Sequence, residues 1–366
     1  MTRKFLKPLK RIVVKVGSSV IATYKMQPRT THLGSLVEQI SRLHGEKVEV
    51  VLVSSGAIVL GMGELGETTR PKELSGLQAL AAIGQTVLMR TYSELFKKYK
   101  AKCAQVLLTW DDFNDRTRYN NARNTLQAIL DRGVIPIINE NDTIATDEIK
   151  FGDNDRLSVL VAGLMRADLL VVLSDVEGLY DLKGGEKKIF EEIKEITQEI
   201  EGAASSKDIG TKGKHMSRGG MQGKLEAIKI ATQANIPCII AHGETEDVLL
   251  RILKGERIGT LFIEKEEKFL ARQHWISFGA KPQGEIVVDD GAKAALLKGG
   301  RSLLLPGVVK WEGNFKKEDV VVVYDKDGEE IARGIINYSI DDLHKIEDRK
   351  GKREVIHCDD LVLCKR

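Results

Sequence analysis

Several things this chain of 366 residues does not have narrow its function before any motif is read. It has almost no charge excess, Lys and Arg outnumbering Asp and Glu by only three. A general electrostatic pull toward nucleic acid or an anionic membrane is therefore missing, and any anionic ligand has to be met by local groups. No apolar run reaches transmembrane length, and the basic opening MTRKFLKPLKR leads into the short strand IVVKV rather than a secretory apolar core. A cytoplasmic protein is expected. The four cysteines, Cys103, Cys238, Cys358 and Cys364, include no CxxC pair and read as buried, reduced thiols. The seven histidines form no HxxH or HExxH arrangement, which removes the usual zinc readings, and no residue is assigned as a direct metal ligand. A Walker A loop, a nucleophile elbow, internal repeats and low-complexity stretches are also missing. Trp110 and Trp311 read as core or interface residues.

The length exceeds what one hydrophobic core usually supports, so two domains are expected. Up to about residue 263, short β-branched runs alternate with segments of helical period, the pattern of a parallel sheet covered by helices. The runs are 12–16, 48–53, 104–109, 134–139, 168–175 and 236–241. Between the first two, Leu33, Leu36, Val37, Ile40 and Leu43 line one face of a helix, with Thr30 or Thr31 as the expected cap. Helices are also expected near 75–98, 121–132 and 220–235. A charged linker, 264–280, then leads to strands broken by the turn signals DDG, KGG, PG, EGN and DKDG, which define a mostly β domain over 281–366. That domain has 16 basic and 17 acidic residues, so RNA is not an expected partner.

The chemistry gathers where strands end. The first strand finishes at Lys15 and turns through Gly17, Ser18 and Ser19, and the second finishes in Ser54, Ser55 and Gly56. In an open parallel sheet, ligands bind beyond the carboxyl ends of the strands, where backbone N–H groups can cradle phosphate oxygens. Each turn alone is equally a plain strand-to-helix connection. Beyond the fourth strand, Asn139, Glu140, Asn141, Asp142, Asp147, Glu148, Asp153, Asn154 and Asp155 crowd into 17 residues. Turns and a helix cap need one or two such residues. So many could instead bind an ammonium group, orient lysines or hold Mg²⁺ through water. The fifth strand closes in Ser174 and Asp175, followed by Gly178 and Tyr180, which suit a wall for a nucleotide base and ribose. Farther on, KGKHMSRGGMQGK sets Lys212, Lys214, Arg218 and Lys224 among glycines before a helix. This reads either as a solvated basic loop or as a lid whose lysine reaches transferring phosphate oxygens. Lys224 at a helix start opposes the helix dipole, which points to a nearby anion.

Taken together, KVGSSV, VLVSSGAI, LLTWDDFNDRTRYNNARNTL, PIINENDTIATDEIKFGDNDRLS, VLSDVEGLY and GGMQGK resemble the amino acid kinase family, specifically its glutamate-phosphorylating members. From GEIVVDDGAKAALLKGGRSLLLPGV onward the chain resembles a PUA domain. The resemblance implies a three-layer αβα sandwich around a mostly parallel eight-stranded sheet, plus a small mostly-β PUA domain. It implies transfer of the ATP γ-phosphoryl group, with Mg²⁺, to the γ-carboxylate of L-glutamate. By position it makes Lys15, Lys224 and Asp155 catalytic, and Ser55, Asp142 and Asn154 glutamate-binding. Lys15, Gly17, Ser174, Asp175, Arg218, Gly219, Gly220, Met221, Gln222, Gly223 and Lys224 would serve ATP. Ser217 and Arg218 stand where the family usually reads Gly-Thr. The family relationship also implies a homo-oligomer, proline as a feedback inhibitor at 115–155, and a complex with γ-glutamyl phosphate reductase. The alternatives are a sister kinase acting on N-acetylglutamate, aspartate, carbamate or a nucleoside monophosphate, and an RNA-binding role led by the PUA domain. The acid-rich segment around Asp142 favours a substrate with a free α-amino group.

Overall fold

Runs of Val, Ile and Leu that are apolar at every position, not at alternate ones, form strands buried on both faces, and such strands belong inside a parallel sheet. The computed structural model, which describes residues 3, 9–145, 154–181, 188–205, 220–263, 276, 282–346 and 353–364, has that arrangement. The chain forms two compact units divided near residue 267.

The first unit contains β1 (Arg11–Val16), β2 (Glu49–Ser54), β3 (Cys103–Leu108), β4 (Ile135–Glu140), β5 (Leu169–Ser174), the two-residue strands β6 (Tyr180–Asp181), β7 (Lys188–Ile189) and β8 (Glu192–Ile193), then β9 (Cys238–His242) and β10 (Thr260–Phe262). Eight of these make one sheet in the order β3-β4-β2-β1-β5-β9-β10-β8, while β6 and β7 pair with each other. Every neighbouring pair in the large sheet is parallel except β9 with β10. The six sequence runs match β1 to β5 and β9 with ends shifted by one or two residues, whereas β8 and β10 are too short to leave a pattern.

Residues alternate between the two faces of the sheet. Ile12, Val14 and Val16 join one core with Leu33, Leu36, Val37 and Ile40 of the Thr30–Gly45 helix and with Leu88, Tyr92 and Phe96 of the Leu74–Lys98 helix. Each such buried side chain contributes about 1.5–3 kcal/mol. The opposite face is covered by the Asn154–Met165 and Met221–Gln233 helices, completing the αβα sandwich. The Thr30–Gly45 helix differs from expectation at its start. Thr30 is already helical, Arg29 occupies the cap position, and no side-chain cap bond forms. The Arg29 carbonyl accepts the Leu33 N–H at 2.9 Å, so the turn is closed by backbone alone.

The second unit contains β11 (Gly284–Val288), β12 (Leu303–Leu304), β13 (Val308–Gly313), β14 (Val320–Tyr324), β15 (Glu330–Ile335), β16 (Glu354–Ile356) and β17 (Leu361–Leu363). Five form a sheet ordered β13-β11-β14-β15-β17, and β12 pairs with β16. Ile286, Val288, Phe315, Val321, Val323 and Ile356 are among the residues of its own core. Asp289 caps the Asp290–Leu297 helix by accepting from the Ala292 N–H at 2.7 Å. One sequence expectation needs correction. Of the four cysteines, all free, only Cys238 is fully buried. Neither Trp110 nor Trp311 is fully buried: Trp110 lies under the Arg156 guanidinium, 3.6 Å from its ring centre, and Trp311 packs partly exposed at the edge of the second core.

Candidate active site

The sheet order changes direction at β1: β2, β3 and β4 lie on one side of it, β5 and β9 on the other. A crevice opens where connections diverge at such a point, beyond the carboxyl ends of the strands. The loops after β1, β2, β4 and β5 all leave at this edge, so Gly17, Ser55, Asn141 and Asp175 converge there by topology.

Lys15 points away from the core that holds Val14 and Val16, into the layer of the Asn154–Met165 and Met221–Gln233 helices. Asp155 lies in the first turn of one helix and Lys224 in the first turn of the other. The Lys15 ammonium forms an ion pair with Asp155 Oδ1, and Lys224 Nζ stands 3.3 Å from Oδ2. Lys15, Asp155 and Lys224 are 5%, 3% and 6% exposed, so the cluster is dry. Burial pushes the Asp155 carboxyl up, but the charges and hydrogen bonds of Lys15 and Lys224 outweigh it and hold the group below its ordinary value. The anion expected beside Lys224 from the helix dipole is thus present within the chain. One carboxylate thus faces two ammonium groups, which brings two cations together at the carboxyl ends of the strands.

Around this cluster the structure brings other expected residues together. Asn154 Nδ2 donates to Ser55 Oγ at 3.0 Å and to Asn139 Oδ1 at 3.0 Å. Asp142 lies half-buried in the turn after β4. Ser174 Oγ donates to Asp175 Oδ1 at 3.0 Å, tying together the two residues that end β5. Gly220 caps the Met221–Gln233 helix with no side-chain bond, and Met221, Gln222 and Gly223 make its first turn. Among the described residues, a Cβ at Gly220 or Gly223 would meet nothing within 4 Å, so their packing does not demand glycine there. Gly17 offers space rather than a donor: its N–H is held by the Leu173 carbonyl at 3.0 Å, and a Cβ would lie 3.3 Å from that oxygen. Gly56, by contrast, adopts φ 101°, a left-handed conformation, and starts the Ala57–Leu65 helix. Gly178 packs against Thr260, where a Cβ would come within 2.6 Å of Oγ1, so close packing accounts for it. Arg218, Gly219, Lys212, Lys214, Asp147, Glu148 and Asp153 lie outside the described residues.

Two participants carry no sequence signal. Gln85, on the Leu74–Lys98 helix, accepts from Asn139 Nδ2 at 2.8 Å, and Tyr92 of the same helix shares a 3.1 Å hydrogen bond with Ser54. Both look like ordinary helix positions in the sequence. Only the neighbouring glycine, Gly84, hints that this stretch of helix approaches something closely.

A parallel αβα sheet with two buried ammonium groups on one carboxylate, set beside glycine-lined space at a helix start, is built for phosphoryl transfer. The amino acid kinase family signature matches residues 10–242, and that of the PUA domain matches residues 284–358. Among similar curated proteins, the glutamate 5-kinase of Geobacter sp. (strain M21) is 42% identical, covering 99% of this chain and 100% of that protein. That of Dictyoglomus turgidum is 46% identical, with 98% of each covered. That of Caldanaerobacter subterraneus subsp. tengcongensis is 44% identical, over 97% of this chain and 98% of that protein. The chain belongs to the amino acid kinase family, a family of phosphotransferases, and carries a C-terminal PUA domain.

Proposed function

We propose that this chain transfers the γ-phosphoryl group of ATP to the γ-carboxylate of L-glutamate, giving L-glutamyl 5-phosphate and ADP, the first step of proline biosynthesis. The observation that carries the reading is the buried Lys15–Asp155–Lys224 cluster at the strand ends. A carboxylate acceptor is already ionised at neutral pH, so no general base is required. What the reaction needs is charge neutralisation and alignment. Lys15 and Lys224 supply the charge, and Asp155 keeps the two repelling ammonium groups in one place. Ser55, Asp142 and Asn154 hold and orient the amino acid. Ser174, Asp175 and the segment from Arg218 to Lys224 take the nucleotide.

The donor set suits Mg²⁺ carried on the ATP phosphates. Asp155 is committed to two ammonium groups, and Asp175 at the end of β5 would meet the ion through its water shell. When bound, the ion would supply charge neutralisation for the nucleotide phosphates. No described helix is long and apolar enough to cross a membrane, in keeping with a cytoplasmic enzyme. Proline competing for the segment 115–155, a homo-oligomeric state and a complex with γ-glutamyl phosphate reductase complete the proposal.

The test is a substrate screen with ATP, Mg²⁺ and hydroxylamine, which traps acyl phosphates as hydroxamates. L-Glutamate should yield the γ-hydroxamate. Robust turnover of N-acetylglutamate or aspartate in its place overturns the assignment.

A further inference from the structure

The Leu74–Lys98 helix packs on the sheet face opposite the lysine pair, yet Gln85 ties it to the site across the sheet edge. Gln85 Oε1 accepts from Asn139 Nδ2 at 2.8 Å, next to the end of β4. The orientation of the Asn139 amide is pinned by the backbone: its Oδ1 accepts the Glu140 N–H at 2.9 Å, a group that can only donate. With its oxygen held there, Asn139 must turn its amino group to Gln85. The same Oδ1 takes a second hydrogen bond from Asn154 Nδ2 at 3.0 Å, and that nitrogen also reaches Ser55 Oγ at 3.0 Å. The orientation of the Asn154 amide is therefore dictated in turn. Its Oδ1 faces away from these partners, buried and without a donor among the described residues. A buried amide oxygen in that state is strongly disfavoured unless a ligand supplies an N–H.

We propose that Gln85 is a positioning residue for the amino-acid acceptor, acting through Asn139 to hold the Asn154 amide so that its Oδ1 receives the acceptor's α-ammonium group. The inference rests on the function proposed above and extends it to the recognition of one substrate. An acceptor with a free α-amino group brings charged N–H donors to that oxygen. An N-acylated one brings a single neutral N–H and added bulk, so the relay also selects between them. Gln85 holds its own orientation for the same reason that Asn139 does, since a flip would set two amino groups against each other. Its Nε2 is buried and likewise has no acceptor among the described residues, so the bond to Asn139 is what fixes it.

The experiment compares Gln85→Leu and Gln85→Glu with the wild-type full-length chain, measuring kcat and the KM values for L-glutamate and ATP separately. Leu removes the acceptor that Asn139 needs, whereas Glu keeps it. Gln85→Leu should raise the KM for L-glutamate about tenfold or more, the effect of one lost oriented hydrogen bond, with kcat and the KM for ATP within about twofold. Gln85→Glu should return the glutamate KM toward the wild-type value. If Gln85→Leu does not fold, Gln85→Met, which likewise offers Asn139 Nδ2 no strong acceptor, carries the same expectation. An unchanged glutamate KM in a folded variant overturns the proposal, and so does parallel loss in all three constants, which is what a merely structural role would give. Failure of the underlying reading shows elsewhere, as no γ-hydroxamate from the wild type. In that case the same KM split, measured with whichever amino acid the wild type accepts, decides the role of Gln85.

Discussion

Lys224 Nζ stands 3.3 Å from Asp155 Oδ2, an ammonium in the first turn of one helix facing a carboxylate in the first turn of its neighbour. A lysine at that position opposes its own helix dipole, whereas an aspartate there is favoured by its own. Pairing the two, with Lys15 on the other carboxylate oxygen, holds two cations in a dry site that neither could occupy alone.

Removing the carboxylate tests that account. Asp155→Asn leaves Lys15 and Lys224 buried without their anion, and losing one partner of a buried ion pair costs about 3–5 kcal/mol. Denaturant unfolding at pH 7 should show a loss of that size, and γ-hydroxamate formation should collapse with it. The pH dependence has a defined sign. The folded Asp155 carboxyl titrates below its ordinary value of 3.8, so its stabilisation is present above that value and is lost as pH falls through the lower, folded one. The stability gap between wild type and Asp155→Asn should therefore be constant near neutrality and close only in acid below about pH 4. A gap that closes between pH 7 and 6 contradicts the assignment.

The lysines themselves should act on rate. Lys15→Ala and Lys224→Ala are each expected to lower kcat by roughly 10²-fold or more, the scale for losing one charge-stabilising donor at a transferring group. Circular dichroism should show the fold retained. Near-normal turnover in both variants would mean that neither lysine stabilises the transferring phosphoryl group.

Much of this site is legible along the chain because its residues fall just beyond strands that have an unmistakable pattern. Lys15 interrupts an otherwise apolar run, and Asn154 and Asp155 begin a helix after an acid-rich stretch. The meeting of Lys15, Asp155 and Lys224 is implied by family resemblance alone, since they lie on three elements separated by more than 60 residues each. Gln85 gives no signal, because a polar residue beside Thr86, between Gly84 and Val87 on a periodic helix, looks like a solvated position. The expected Thr30 cap fails for a local reason: the chain enters that helix from the bridge between Ala22 and Pro28, which leaves Arg29 at the cap. Strands β8 and β10 are invisible in the sequence because two or three paired residues are too few to show a hydrophobic pattern.

Close helix packing makes a sharp prediction beside Gln85. A Cβ at Gly84 would fall 1.8 Å from the Ala57 carbonyl oxygen and 2.4 Å from the Gly61 nitrogen, so the Leu74–Lys98 and Ala57–Leu65 helices can cross there only over a hydrogen atom. Gly84→Ala must push backbone against backbone and should cost about 1–3 kcal/mol, the usual scale of overpacking. Thermal unfolding checks this. Gly220→Ala, where a Cβ meets nothing among the described residues, is the contrast and should leave the unfolding midpoint within about 1 °C while testing nucleotide affinity.

The second unit offers an independent test through a thiol. Cys364 follows β17, its backbone N–H bonded to the Ile331 carbonyl at 2.9 Å, and its Sγ donates to Glu330 Oε1 at 3.2 Å. Burial, then the hydrogen bond to Glu330 and its negative charge, push the thiol up to about 12, and Arg333 offsets only part of this. The thiolate is the nucleophile, so at pH 8 Cys364 should resist iodoacetamide in the folded protein and react readily once it is unfolded, as mass spectrometry of the modified peptide would show. Glu330→Gln removes the charge and leaves the Arg333 guanidinium, paired with Glu330 at 2.7 Å in the wild type, as the dominant neighbour. The Cys364 alkylation rate should then rise about tenfold or more at the same pH, since each unit of lowered pKa raises the thiolate fraction tenfold. Equal rates in the two proteins would mean that burial alone silences the thiol and that Glu330 has no electrostatic part in it.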